Sequence, residues 1–136
     1  LKAVAEVFKG SKCLRHRVKW MGELPDGRYQ QLLSKAGFLW HAGRNDNGTF
    51  SVIEAACLNV PSLSSDYPAM REIDEQFSLN LTWMNPNIPR NMGEQLKKME
   101  LEANVHRNRL PTEELLNAQR IANHAMSYWK EVRVNL

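Results

Sequence analysis

The chain has 136 residues, 43% of them hydrophobic and 24% charged, with a formal net charge of +3. One domain of ordinary size with an apolar core fits these values, and a disordered tail does not. No apolar run is long enough to cross a bilayer, and the two cysteines, Cys13 and Cys57, neither build a disulfide framework nor match a zinc spacing. Both are expected as free thiols in a reducing, cytoplasmic setting. The pI near 9.0 suits an anionic ligand. The most basic run, residues 12–19 with Arg15, His16 and Arg17, reads as a solvated edge. RNA binding along that run is the weaker alternative, and nucleic acid is not an expected partner.

In chain order, residues 1–9 place Leu1, Val4, Ala5 and Phe8 on one helical face, and Gly10 stops them. Residues 18–21, Val-Lys-Trp-Met, are β-rich and end at Gly22, which predicts a short buried strand. After a loop, with Asp26 as N-cap, residues 28–35 form a helix carrying Tyr29, Leu32, Leu33 and Ala36 on one side. Residues 38–42 are a short apolar strand. The polar loop from Gly43 to Thr49 contains two glycines, Gly43 and Gly48, and Asn47 or Thr49 can cap the helix that follows. That helix runs through Glu54 to about Leu58, and Val60-Pro61 closes it.

Next come a strand over residues 62–64, a helix over 68–75 opened by Pro68, and an alternating, edge-like strand over 79–83. Residues 85–89 are rich in breakers. A helix over 91–104 carries Met92, Leu96, Met99 and Ala103 inward, and a last helix spans about 112–133. Strands alternating with helices predict an α/β fold, a Rossmann-like parallel sheet with flanking helices, in one domain over residues 1–136. The loops after Met21, Ala42 and Ser64 would then share the carboxyl edge, where such sheets bind ligands.

A helix start preceded by a glycine loop can bind an anion through outward N–H groups and the helix dipole. Glu54 follows Thr49 by five residues, roughly 7–8 Å along the axis. A diphosphate at Gly48, Thr49, Phe50 and Ser51 would therefore leave its ribose at Glu54, a carboxylate able to accept from two hydroxyls.

This stretch resembles a known family. Asp46 and Glu54 are spaced like the E-x7-E motif of retaining GT-B glycosyltransferases (the group 1, family 4-like branch). Phe50, Glu54-Ala55, the Val60-Pro61 turn, Ser62-Leu63-Ser64-Ser65-Asp66 and Pro68-Ala69-Met70-Arg71-Glu72 follow in the family's order, and the likeness spans roughly residues 18–132. Asp46 stands where the family has glutamate, Gly48 is a displaced loop glycine, and Asn59-Val60 replaces the glycine before the proline.

The resemblance implies the carboxyl-terminal, donor-binding half of a GT-B fold, truncated at its start. Its function would be transfer of a hexose, mannose being the first candidate, from a nucleoside diphosphate sugar to a glycan hydroxyl in polysaccharide biosynthesis. Asp46 takes the catalytic position beside the donor sugar, or is an Asx-turn aspartate. Glu54 holds the ribose, Asn47, Gly48, Thr49, Phe50 and Ser51 face the diphosphate, and Gly22, Glu23 and Leu24 lie near the base. No cofactor or metal beyond the donor substrate is implied. A glycan or lipid-linked acceptor, and peripheral contact with the inner membrane face, would come through an amino-terminal domain. The family's diphosphate-binding arginine and lysine fall before Leu1, so this chain alone is expected not to transfer sugar. The competing reading is a Rossmann-like nucleotide- or phosphate-binding or interaction module without transferase chemistry. His41 reads as a packed or capping histidine, and the four tryptophans as core or surface anchors.

Overall fold

The computed structural model describes residues 17–43, 50–112, 114, 116 and 117. The expected first helix, the loop over 44–49 and most of the last helix lie outside the described residues. The elements in order are α1 (Asp26–Leu33), β1 (Leu39–His41), α2 (Ser51–Cys57), β2 (Ser62–Ser65), α3 (Pro68–Phe77), β3 (Thr82–Met84) and α4 (Pro89–Arg107). The three strands form one open, fully parallel sheet in the order β1-β2-β3. The fold is thus α/β and Rossmann-like, with a helix in each crossover.

The register divides the side chains. Leu39 pairs with Ser62, His41 with Ser64, and Ser64 with Trp83, so these five share one face. Trp40, Leu63, Ser65, Thr82 and Met84 share the other. Helices α2 and α3 cover the first face: Val52, Ile53, Ala56, Met70 and Phe77 are buried together, with Leu39 and Trp83 packed against them. Helix α4 covers the second, burying Met99 against Leu63 and Met84. Helix α1 lies outside α2, where Leu33, Ala55 and Val60 close on Tyr29 and Ala36. Two crossovers that advance in one direction place their helices on the same face. The chain leaving β3 turns to the opposite face.

Local chemistry sets the ends. Pro68 and Pro89 open α3 and α4, where a missing N–H costs nothing. Helix α3 ends at Ser78 in the left-handed region (φ 52°), and Asn80 repeats it (φ 54°). Asp74 stabilises this reversal by accepting the Leu81 N–H at 3.1 Å. The amide of Asn80 donates to the carbonyls of Ser78 and Arg109, tying the turn to the end of α4. Leu116 is fully buried in the α2–α3 cluster, and its N–H returns to the Thr112 carbonyl.

Residues 18–21 are not a strand. They run as irregular chain, with Val18 38% and Trp20 65% exposed. A four-residue β-rich run becomes a strand only against an open ladder, and among the described residues β1 pairs with β2 alone. Gly22 then turns at φ +64°, a conformation that favours glycine. Helix α1 also starts two residues before Arg28. Pro25 is its cap position, and Asp26 is its first residue rather than its N-cap. The edge-like strand shifts to Thr82–Met84, because Leu79 and Leu81 are drawn into the α2–α3 core instead.

Candidate functional site

Parallel pairing puts the carboxyl ends of β1, β2 and β3 on one edge. Two places on that edge carry chemistry: the start of α2, after β1, and the crevice between β2 and β3.

Helix α2 is short, seven residues from Ser51, and its cap position is Phe50, which is 68% exposed and provides no side-chain cap. Its apolar residues Val52, Ile53, Ala55 and Ala56 are all buried. Glu54 is its one exposed residue. Next to it stands Tyr29 of α1. The Tyr29 hydroxyl is pushed above its ordinary acidity range by burial, then by the Glu54 charge and a hydrogen bond to that carboxylate. A phenol donating to a carboxylate must lose a strong partner on ionising, so it holds its proton more tightly.

At the end of β1, His41 Nδ1 lies 3.1 Å from Ser64 Oγ. Ser64 Oγ also lies 3.2 Å from the Ser65 carbonyl, to which its hydroxyl can donate. The His41 ring is 6.2 Å from that of Tyr67. On its far side is Gly43, where a Cβ would come within 2.9 Å of Nε2. His41 is a packed histidine pinned to the central strand, as expected, and Gly43 is glycine because the imidazole occupies the space of a side chain.

The second place follows from topology. The loop after β2 leads to α3 on one face, and the loop after β3 leads to α4 on the other. Where neighbouring parallel strands send their connections to opposite faces, the loops part and leave a crevice beyond the strand ends. Here a cavity of about 630 Å³ opens, lined by Asp66 and Tyr67 from the first loop, by Trp83 and Met84 of β3, by Asn85, Pro86 and Asn87 from the second loop and by Asn91 of α4.

Its walls are braced. Arg71 grips Asp66 with two parallel bonds, Nε to Oδ1 at 2.8 Å and Nη2 to Oδ2 at 2.7 Å. The same guanidinium lies 3.9 Å above the Trp83 ring. The Arg71 hydrogen bonds hold the Asp66 carboxyl below its usual range against the opposing effect of burial, with a lesser contribution from the Arg71 charge. Asn85 and Asn91 each use the side-chain carbonyl to hold a backbone N–H, of Asn87 at 2.9 Å and of Asn85 at 2.7 Å. Asn85 N–H is thereby anchored to the first turn of α4. The Asp66 N–H continues the ladder to the Met84 carbonyl at 3.0 Å. Behind this rim, Ser65 is fully buried and its hydroxyl has no hydrogen-bond partner.

Of the residues read from sequence as a site, Glu54, Phe50 and Ser51 are brought to the α2 start, and Glu54 faces Tyr29. Gly22, Glu23 and Leu24 lie in the chain before α1, with no strand beneath them to fix them on the sheet edge. Asp46, Asn47, Gly48 and Thr49 lie outside the described residues. The crevice went unread, although one signal was present: breakers at Asn85-Pro86-Asn87 directly after a strand, with Ser64-Ser65-Asp66 at the end of its neighbour. Among the described residues no cluster of three or more potential metal ligands occurs, and no helix is long and apolar enough to cross a membrane. The chain matches no protein-family model, no curated protein and no solved structure.

Proposed function

We propose that the chain is the donor-binding half of a retaining GT-B glycosyltransferase, which holds a nucleoside diphosphate sugar while its hexose moves to a glycan hydroxyl. One observation carries the reading. Glu54 is the single exposed residue of a helix whose other residues are buried or half-buried, on the crossover that follows β1 in a parallel sheet. An acceptor-only carboxylate there, one turn from the helix start, suits a ribose diol whose diphosphate lies over the preceding loop. Tyr29 of α1 stands beside Glu54, so α1 borders the same helix start. Asp46 would lie beyond the diphosphate, toward the sugar.

The test is a two-dimensional amide NMR titration with UDP, GDP and ADP. The expected result is a saturable shift at residues 50–54 and at Tyr29, strongest for one base, and weakened at least fivefold by Glu54→Gln. Equal affinity in Glu54→Gln, or no shift at those residues with any nucleotide, sinks the proposal.

A second reading is favoured by the same contact. The nearness of Tyr29 to Glu54 supplies a structural role for the glutamate, as a tie between α1 and α2. A Rossmann-like nucleotide- or phosphate-binding module without transferase chemistry then accounts for the fold. It predicts that Glu54→Gln and Tyr29→Phe lower stability and leave ligand affinity unchanged.

A further inference from the structure

We propose that the crevice between the carboxyl ends of β2 and β3 is a binding site for a neutral, polyhydroxylated ring, of the hexopyranoside class, held between the Asp66 carboxylate and the side-chain amides of Asn85 and Asn91.

The donor set selects the ligand class. Asp66 already accepts two bonds from Arg71, but each carboxylate oxygen has a second acceptor position. Because Arg71 is itself laid on Trp83, Asp66 is fixed and costs little to order. Asn85 and Asn91 have spent their carbonyls on backbone N–H groups, which fixes their amide orientation. What each still offers is an NH2 group, a donor. The crevice thus sets fixed donors against a fixed acceptor. Adjacent hydroxyls, each of which donates and accepts, satisfy both at once. A phosphate finds no free cation there, because Arg71 already commits its charge to Asp66 and no lysine or arginine is among the lining residues. An apolar ligand would strand the amides and the carboxylate without partners, at a cost that outweighs its own burial.

Size and place agree. A cavity of about 630 Å³ lies inside the range of small-molecule sites, roughly 300–1,000 Å³, and it stands where open parallel sheets bind ligands. It shares no residue with the α2 start, so it stands or falls separately from the reading of Glu54.

The test uses the full 136-residue chain, uniformly labelled, titrated with methyl α-mannopyranoside, methyl α-glucopyranoside and, as a one-hydroxyl control, cyclohexanol. Saturable shifts are expected for at least one glycoside at the amides of Asp66, Tyr67, Asn85 and Asn87 and at the side-chain NH2 of Asn85 and Asn91. Cyclohexanol is expected to give none. Two variants follow. Asn91→Ala removes a donor and the Asn85 anchor. Asn87→Trp plugs the mouth from an exposed position and leaves the Asn87 N–H bond to Asn85 in place. Each is expected to weaken glycoside binding at least tenfold. Should Asn91→Ala fail to fold, Asn87→Trp decides alone. Absence of saturable shifts with both glycosides, equal shifts with cyclohexanol, or full binding by Asn87→Trp overturns the proposal. Glu54→Gln is expected to leave these shifts unchanged, which separates this outcome from that of the nucleotide titration.

Discussion

Gly43→Ala tests the packing at the end of β1, and its sign should depend on His41. The added Cβ would stand 2.9 Å from His41 Nε2 and 3.0 Å from Cε1, short of ordinary van der Waals contact. Gly43 has no positive φ, so the backbone accepts alanine, and its lost unfolded-state freedom should stabilise by about 0.4–1 kcal/mol. The clash opposes this by one of two routes. If the ring holds its place, overpacking costs about 1–3 kcal/mol. If it swings away, the bond to Ser64 is lost, at about 0.5–1.5 kcal/mol. The cheaper route wins, so Gly43→Ala should be neutral to destabilising by about 1 kcal/mol. In a His41→Ala background the clash is gone, and the same substitution should stabilise by the full backbone gain. Urea denaturation of the four proteins in this double-mutant cycle measures the coupling, expected near 1 kcal/mol. A coupling near zero would show that the imidazole does not occupy the space above Gly43.

Three further outcomes follow from the structure. Burial pushes the Asp74 carboxyl above its ordinary value, outweighing the lowering by the Leu81 N–H and Arg71. Its contribution is therefore fully present below the unfolded pKa, about 3.9, and is lost as pH rises through the folded value. Asp74→Asn, which keeps an oxygen for the Leu81 N–H, should raise the urea midpoint at pH 7 and not at pH 3.5. The Asp66–Arg71 pair has the opposite sign, since Arg71 holds the Asp66 carboxyl down and the pair's stability is lost as pH falls through that lowered value. Both side chains are about half exposed, so Arg71→Gln should cost no more than about 0.2–1 kcal/mol for the ion pair, plus about 0.5–1 kcal/mol for the stack on Trp83, with only the first part weakened by salt. Met99, fully buried on the α4 side of the sheet, should cost about 2–5 kcal/mol as Met99→Ala. Leu101, 85% exposed two residues on, should stay within about 0.5 kcal/mol as Leu101→Ala, and thermal melts of the two compare them directly.

The sequence carried the alternation of short apolar runs and helices well, because each crossover is punctuated: Gly37 before β1, Val60-Pro61 before β2, Pro68 and Pro89 at helix starts. Residues 18–21 misled because β propensity has no meaning without a ladder to join, and no local signal reports whether one is available. Leu79 and Leu81 alternate like strand residues, yet two left-handed turns at Ser78 and Asn80 send both into the α2–α3 core. At the site, Glu54 was legible as an exposed carboxylate near a helix start. Its neighbour Tyr29 was not, since the contact joins residues 25 positions apart across two packed helices. The crevice was hidden for a different reason. It exists because α3 and α4 lie on opposite faces, a fact about topology that hydrophobic periodicity does not encode.

Glu54 also constrains what can bind beside it. It lies four residues after Phe50, about 6 Å along the axis, so its negative charge sits close to the positive end of α2. A unit charge on a phosphate about 7 Å away in a water-like medium meets roughly 0.6 kcal/mol of repulsion from it. That opposes the helix-end attraction, which is itself about 0.3–1 kcal/mol at an exposed terminus. The two nearly cancel, and α2 alone is a poor phosphate site. A diphosphate bound here must therefore take its attraction from the chain before Phe50, with its neutral hydroxylated part against Glu54. For a nucleoside diphosphate bound as proposed, that carboxylate would set the polarity along the helix: hydroxyls toward Glu54, phosphate away from it.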